Sequence, residues 1–534
     1  MRIAIVVAFV GAMLAACTPR DDGPRTRPSD PRLRISSKDR LATLDPAVAY
    51  DEVTFYVLRH VVEGLVGYAP HSTHLENRLA EHIEITALPD GGERYVFTLR
   101  EGIQYADGRP IVAEDFKYAL ERAIALPASA FPDFLADVEG VAEIERNKHE
   151  FQRFPVRGIE VRGERELEIR LVRKNAAFLY ALAMPFAAPI PQRFDDAHDH
   201  DLRRGPLASG PYEIASWDEG QAIELRRHAH YFDPTRGRIP GIVLYENIPR
   251  DTQFLMFLRG ELDAAERLSA PDFVRILAQP AWQPYVHHQQ PMNAFGARFN
   301  VTVPPFDRRE VRQAFNYALD RRHIATLLNG TAIPAHGILA PGAFGRDDAL
   351  PAYEHDPARA RALLAQAGYP DGLDVEYVTL ADEEAEKLAV SMQHDLAEIG
   401  VRMQIRLTSI PVYVDTVSQP DGPAFSFVSW VGDSPDATSL LDPKFRSDGG
   451  ANDSFYKSPE LDAVLDRARA LPDGDERAAL YHQAERILRD DAPWVWGYHQ
   501  STIEVTQPYV RDYEPHPIWF RDYTSAWIDD GGSR

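Results

Sequence analysis

The sequence contains one cysteine, Cys17, among 534 residues, so no disulfide within the chain can hold its fold. It lacks a second long apolar run after Ile3 to Met13, and that one is too short to span a bilayer comfortably as a mature helix. It lacks positive charge: 58 Lys and Arg against 81 Asp and Glu give a formal net charge of −23. Nucleic acid as a partner normally leaves a basic footprint, and none is present. The local signatures of common enzymes are missing too. There is no Gly-x-Ser-x-Gly elbow, no His-Glu-x-x-His helix, no phosphate-cradling loop before a Lys and no Gly-x-Gly-x-x-Gly after a strand. Two histidine clusters, His198 with His200 and His287 with His288, lie among polar residues and read as solvated segments, so neither a metal nor a cofactor is expected.

What is present suits a large folded chain. The composition is 44% hydrophobic and 26% charged, and the length is enough for roughly two to four domains with ample core. Patterning predicts mixed strands and helices throughout, an α/β protein without internal repeats. Apolar residues from Val53 to Val66 fall at helical spacing and predict a helix ending at Gly67. Ala113 to Ala125 reads as a helix with Glu114 and Asp115 in its first turn. Ser458-Pro459 reads as the capped start of another. Val156 to Val161 with Leu167 to Leu171, and Tyr212 to Trp217 with Ala222 to Arg226, read as two hairpins.

One stretch organises the rest. Leu373 to Leu380 reads as a strand and Glu383 to Ile399 as a helix burying Leu388, Met392, Leu396 and Ile399. Val401 to Leu407 alternates as a second strand. Strand, helix, strand at this spacing is a parallel crossover unit. Phe425 to Trp430 is then an apolar run of β-branched and aromatic residues that stops at Gly432-Asp433-Ser434-Pro435-Asp436. If it joins the same sheet, Asp433 lies just past a strand's carboxyl end, where open α/β sheets bind ligands. Taken by itself, Asp-Ser-Pro-Asp is equally ordinary turn chemistry.

The amino terminus resembles a bacterial lipoprotein signal. Met1-Arg2 supplies a positive start, Ile3 to Met13 the apolar run, and Leu14-Ala15-Ala16 the small residues before Cys17. The resemblance implies cleavage before Cys17 and lipidation of its thiol, leaving a protein anchored to the membrane that does not span it. Thr18 to Pro31, rich in Pro, Arg, Asp and Gly, reads as a flexible tether.

A wider resemblance covers nearly the whole mature chain. Tyr95 to Phe116 (YVFTLREGIQYADGRPIVAEDF) resembles the signature of the family-5 extracellular solute-binding proteins, which include oligopeptide-, dipeptide- and nickel-binding components of ABC importers. Further blocks follow in family order. They are Leu44-Asp45-Pro46 with Glu63-Gly64-Leu65; Ser209-Gly210-Pro211-Tyr212 with Trp217, Gly220-Gln221 and Tyr231; and Asn300, Pro304-Pro305-Phe306, Val311 to Ala314 and Leu319-Asp320-Arg321. Asp356-Pro357-Ala358 with Leu363-Leu364 and Ala367 to Gly372, then Tyr456 to Asp462, complete the set.

The resemblance implies a two-lobed periplasmic-binding-protein-like fold of the large three-domain type, closing on a ligand at the inter-lobe cleft. The expected division is 1–16 signal peptide, 17–31 tether, 32–75 with 205–292 and 497–534 as lobe I, 76–204 as an extra domain, and 293–496 as lobe II. Peptide binders of the family carry Trp-x-x-Asp after the strand in question, and Trp430-Val431-Gly432-Asp433 matches it. Asp433 is thereby expected to pair with a ligand's α-amino group, Trp430 to wall the cleft or pack in the core, and Asn300 to touch ligand or brace its own turn.

The function expected is a monomeric, non-enzymatic receptor. It would be anchored at Cys17 in the periplasm or cell envelope and pass short peptides to an inner-membrane ABC permease and its ATPase. The alternatives are the same receptor for a nickel chelate, opine or oligosaccharide, a sensor or adhesion lipoprotein that uses the fold without transport, or a surface hydrolase whose triad is not local in sequence.

Overall fold

The computed structural model describes residues 23–27, 29–144, 154–191, 202–518 and 521–529. Cys17 and the His198–His200 cluster lie outside them. Among the described residues no helix is long and apolar enough to cross a membrane.

Four sheets carry the architecture. A six-stranded sheet has the order Ala332–Pro334, Trp494–Gln500, Asn293–Phe299, Phe425–Val431, Leu373–Leu380, Val401–Thr408. Leu373–Leu380 and Val401–Thr408 run parallel with Leu373 opposite Val401. The helix Glu383–Glu398 connects them, burying Leu388, Met392, Leu396 and Ile399 as expected from their spacing. Phe425–Val431 joins on the other side, parallel to Leu373–Leu380 through Val378 and Ser426. Its aromatic residues explain its place. Phe425 is fully buried, 5.1 Å from the ring of Phe299, 4.8 Å from Tyr377 and 5.3 Å from Phe315.

Asn293–Phe299 runs antiparallel to both of its neighbours. This single fact sets the polarity of the sheet. The carboxyl ends of Leu373–Leu380, Val401–Thr408, Phe425–Val431 and Trp494–Gln500 all emerge on one edge, together with the amino end of Asn293–Phe299. At that edge the chain leaves the sheet. A three-stranded sheet of Ala264–Ala265, Thr502–Thr506 and Val286–Gln289 lies one step away along the chain, across Gln290–Met292 on one side and Ser501 on the other. The two crossings are braced to each other. The Asn293 side chain donates to the Gln500 carbonyl and accepts from the Gln500 N–H, at 3.0 and 2.9 Å. The Ser501 hydroxyl donates to the Gln290 side chain at 3.0 Å.

The other two sheets are a four-stranded one, Leu33–Ser36, Gly241–Tyr245, Ala222–Arg227, Tyr212–Asp218, and a second four-stranded one, Ala80–Ala87, Glu93–Leu99, Glu166–Leu171, Ile159–Gly163. Both expected hairpins are antiparallel pairs within them. The helix Ala113–Ala125 packs on the second. Asp115 accepts from the Val112 N–H at 3.1 Å and from the Tyr105 hydroxyl at 3.0 Å, which fixes the start of that helix.

The helix expected over Val53 to Val66 is shorter. It covers Glu52–Val61, and Val66–Tyr68 is a strand paired with Leu75–Asn77. Tertiary partners explain the break. The Glu63 N–H donates to the Ser209 hydroxyl at 2.9 Å, and the buried Glu63 carboxylate takes Arg78 at 3.2 Å and the Tyr231 hydroxyl at 2.5 Å. These bonds require an extended chain at Glu63, and local helical periodicity carries no record of them. Part of the expected tether also touches the folded body. The Arg25 N–H donates to the Gln507 side chain and its guanidinium to the Leu258 carbonyl, at 3.0 and 2.8 Å.

Candidate functional site

The loop after Phe425–Val431 turns two carboxylates to opposite fates. Asp436 is 1% exposed and pairs with Arg477, itself fully buried, at 2.5 and 3.0 Å. Its Oδ1 also accepts from the N–H and hydroxyl of Thr438, at 2.9 and 2.7 Å, starting the helix Thr438–Phe445, and from the Tyr481 hydroxyl at 3.5 Å. Arg477 also pairs with the Asp473 carboxylate at 2.6 Å and donates to the Ala468 carbonyl and the Tyr481 hydroxyl. Asp436 is therefore a structural anchor, neutralised inside the core. Gly432 completes the frame. Its N–H donates to the Met292 carbonyl at 2.6 Å, tying the loop to the crossing strand, and a Cβ there would stand 2.8 Å from the Ser439 hydroxyl.

Asp433 is left with no cation. Among the described residues no Lys, Arg or His forms an ion pair with it; its one hydrogen-bond donor is the neutral Tyr50 hydroxyl, 2.7 Å from Oδ2. Burial pushes the Asp433 carboxyl up to about 6, against the opposing effect of the Tyr50 hydrogen bond. Burial, and then the charge of Asp433, push the Tyr50 phenol well above its usual range. Tyr50 precedes the helix Glu52–Val61, 383 residues from Asp433 in sequence, so this contact is made only on folding.

What places Tyr50 is legible upstream. Asp45 is buried and holds Arg122 of the helix Ala113–Ala125 in a bidentate pair at 2.7 and 2.6 Å, while Oδ1 accepts from the Ala47 N–H. The Leu44-Asp45-Pro46 block thus pins the segment leading to Tyr50. The Tyr50 ring meets Phe131 at 5.4 Å, Phe55 at 5.8 Å and Phe134 at 6.5 Å, all edge-on. Nothing local in the sequence marks Tyr50, because its importance comes from a contact made only on folding.

The other two residues singled out from the sequence have different places. Trp430 is half-buried beside this loop. Its indole N–H donates to the Ser439 carbonyl at 2.8 Å, and the Lys444 ammonium stands 4.8 Å over its ring. Asn300 is fully buried at the opposite end of the sheet. Phe299 pairs with Phe425 and Asn293 with Val431, so a strand of seven residues separates Asn300 from Asp433, on the order of 25 Å. Its amide donates to the Pro420 carbonyl and accepts from the N–H and hydroxyl of Thr302. The structure does not bring Asn300 to Asp433, and its side chain braces its own turn.

No group of three or more His, Cys, Asp or Glu among the described residues is arranged to hold a metal. His287 and His288 occupy successive positions of one strand, so they face opposite ways. His287 bonds the Thr506 hydroxyl, and His288 lies against Phe273.

The model for "Bacterial extracellular solute-binding proteins, family 5 Middle" matches residues 74–452, more than half of the chain. The chain belongs to this family. Among its relatives is the heme-binding protein A of Haemophilus influenzae, 26% identical over 501 residues and covering 88% of this chain and 87% of that one. The probable deoxycholate-binding periplasmic protein YgiS of Escherichia coli is 27% identical over 519 residues, 93% of each. The periplasmic binding protein DppA of Helicobacter pylori, solved with the peptide STSA, superposes with a TM-score of 0.77 at 22% identity, over 93% of this chain and 98% of that one. The protein therefore has the fold of the two-lobed periplasmic binding proteins. It is a solute-binding protein of the ABC-importer type, and its family is one of binders, not enzymes.

Two outcomes follow for these carboxylates. Asp436→Ala leaves Arg477 with only the exposed Asp473 carboxylate as counter-charge, and thermal unfolding of the variant should report a loss of up to about 3–5 kcal/mol. Asp433→Asn should behave oppositely. The folded protein holds a proton on Asp433 up to about pH 6, whereas an unfolded Asp releases it near 3.8. The folded state thus binds more protons in this window, and stability falls as pH rises through it. The variant should be more stable than the parent by about 1–3 kcal/mol at pH 8 and no more stable at pH 4. Melting curves at the two pH values check the sign.

Proposed function

We propose that the protein captures short peptides through their free α-amino group, which pairs with Asp433, and delivers them to an ABC permease and its ATPase. The observation that carries this reading is a half-buried carboxylate, at the edge where the strands' carboxyl ends emerge, with no cation paired to it among the described residues. A ligand ammonium there supplies the missing charge and makes a charge-assisted hydrogen bond on the carboxylate. Excluding that ammonium leaves the carboxylate desolvated and unpaired, so ligands with a blocked amine are selected against. Trp430 forms part of the wall on the Asp433 side. Asn300, at the far end of the sheet, acts on the ligand only by holding its own turn.

The cargo does not follow from relatedness, since the names of the relatives span heme, a bile acid and peptide. It rests on Asp433. Residues 293–496 form the lobe that carries Asp433; 32–75, 205–292 and 497–534 form the facing lobe, with 76–204 as the extra domain. The braced crossings at Gln290–Met292 and Ser501 act as the hinge between them. Removal of residues 1–16 and lipidation of Cys17 place the receptor at the periplasmic face of the membrane, as a monomer.

The test is a calorimetric titration with a mixture of short peptides and with the same peptides N-acetylated. The parent protein should bind the free-amine set and lose at least tenfold, about 1.4 kcal/mol, on acetylation. Asp433→Asn, folded normally, should lose at least tenfold toward the free-amine set and be indifferent to acetylation. Equal affinity of parent and variant removes Asp433 from the site.

A further inference from the structure

The Asp433 carboxylate meets Tyr50, whose ring stands at the edge of an aromatic cluster. Tyr50 reaches it with its hydroxyl and still keeps 41% of its surface exposed. Behind Tyr50 lie Phe55, Phe131 and Phe134. Phe131 stacks on Phe186 at 4.5 Å, and Phe134 lies 6.1 Å from Phe186. Phe55, Phe131 and Phe186 are buried and form a rigid backing, whereas Phe134 is only half-buried. Tyr68, also buried, lies near enough for the charge of Asp433 to add to the effect of burial in raising its phenol. The surroundings of Asp433 therefore hold aromatic surface and hydroxyls, with no ion pair to the carboxylate among the described residues.

A group bonded next to a ligand ammonium lies within a few ångströms of Asp433, in reach of the Tyr50 ring and of the half-buried Phe134 beside it. We infer that Tyr50 and Phe134 line a subsite for the substituent next to the ligand's amine, and that this subsite selects apolar and aromatic first side chains. The inference rests on the proposed recognition of an amine by Asp433. Three features support it. Edge-on rings around Tyr50 present a fixed apolar surface that adds favourable packing to an aromatic or aliphatic group. An acidic first side chain would be placed beside Asp433 with no cation to compensate, so it carries both repulsion and desolvation. A glycine leaves the surface uncovered. Tyr50 has a second part here as a positioning residue, since its hydroxyl bonds Oδ2 and leaves Oδ1 for the ammonium.

The experiment measures affinities of the full chain for X-Ala, X-Ala-Ala and X-Ala-Ala-Ala, with X as Phe, Leu, Gly or Asp, each free and N-acetylated. Phe and Leu should bind at least tenfold more tightly than Asp, within the range that apolar pockets discriminate. Tyr50→Ser and Phe134→Ala should each shrink that ratio to threefold or less while the free amine is still required. Tyr50→Phe keeps the ring and should keep the ratio. It should raise the pH at which free-amine binding is half lost, because Asp433 then loses the hydrogen bond that favours its charged form. Equal affinity across X, or a ratio unchanged in Tyr50→Ser and Phe134→Ala, overturns the subsite and leaves amine recognition standing. Acetylated peptides binding as tightly as free ones overturn amine recognition, and failure of every peptide to bind overturns both.

Discussion

Asp436 and Arg477 neutralise each other inside the core, and the character of Asp433 depends on that pairing. The two carboxylates sit three residues apart on one loop. With Arg477 committed to Asp436, Asp473, Tyr481 and Ala468, it forms no ion pair with Asp433. The loop is stiff because it is pinned at both ends, through Gly432 to Met292 and through Asp436 to Arg477. A stiff loop holds a carboxylate without a counter-charge, which a mobile one would relieve by moving it into water. Burial then raises its proton affinity.

Sheet polarity puts this charge where it can act. The antiparallel insertion of Asn293–Phe299 between two mutually parallel strands brings four carboxyl ends and both chain crossings to one edge. Asp433, with Tyr50 bonded to it, and both chain crossings therefore lie at the same edge.

Much of this was legible before folding, and the exceptions share one cause. Leu373–Leu380, Glu383–Glu398 and Val401–Thr408 were readable almost to the residue because each is a long run whose period is set by one buried face. Asp433 was readable as turn chemistry from its neighbours and as a binding residue from the family resemblance. The difference between Asp433 and Asp436 was not readable, since it lies in Arg477, about 40 residues further on. Helical spacing runs on from Val62 to Val66, where the chain is extended because Ser209, Arg78 and Tyr231 hold Glu63, and Tyr50 carries no local signal because its partner lies 383 residues further on. Residues whose roles rest on distant partners carry no local pattern.

The central claim is that Asp433 completes its charge with a ligand amine, and the most direct measurement is native mass spectrometry of the protein purified gently without added ligand. The account predicts a ladder of bound masses that fragment as short peptides with free amino termini, absent from the same preparation of Asp433→Asn. A single bound species without an amine, or a metal-containing mass, retained equally by parent and variant, would contradict it.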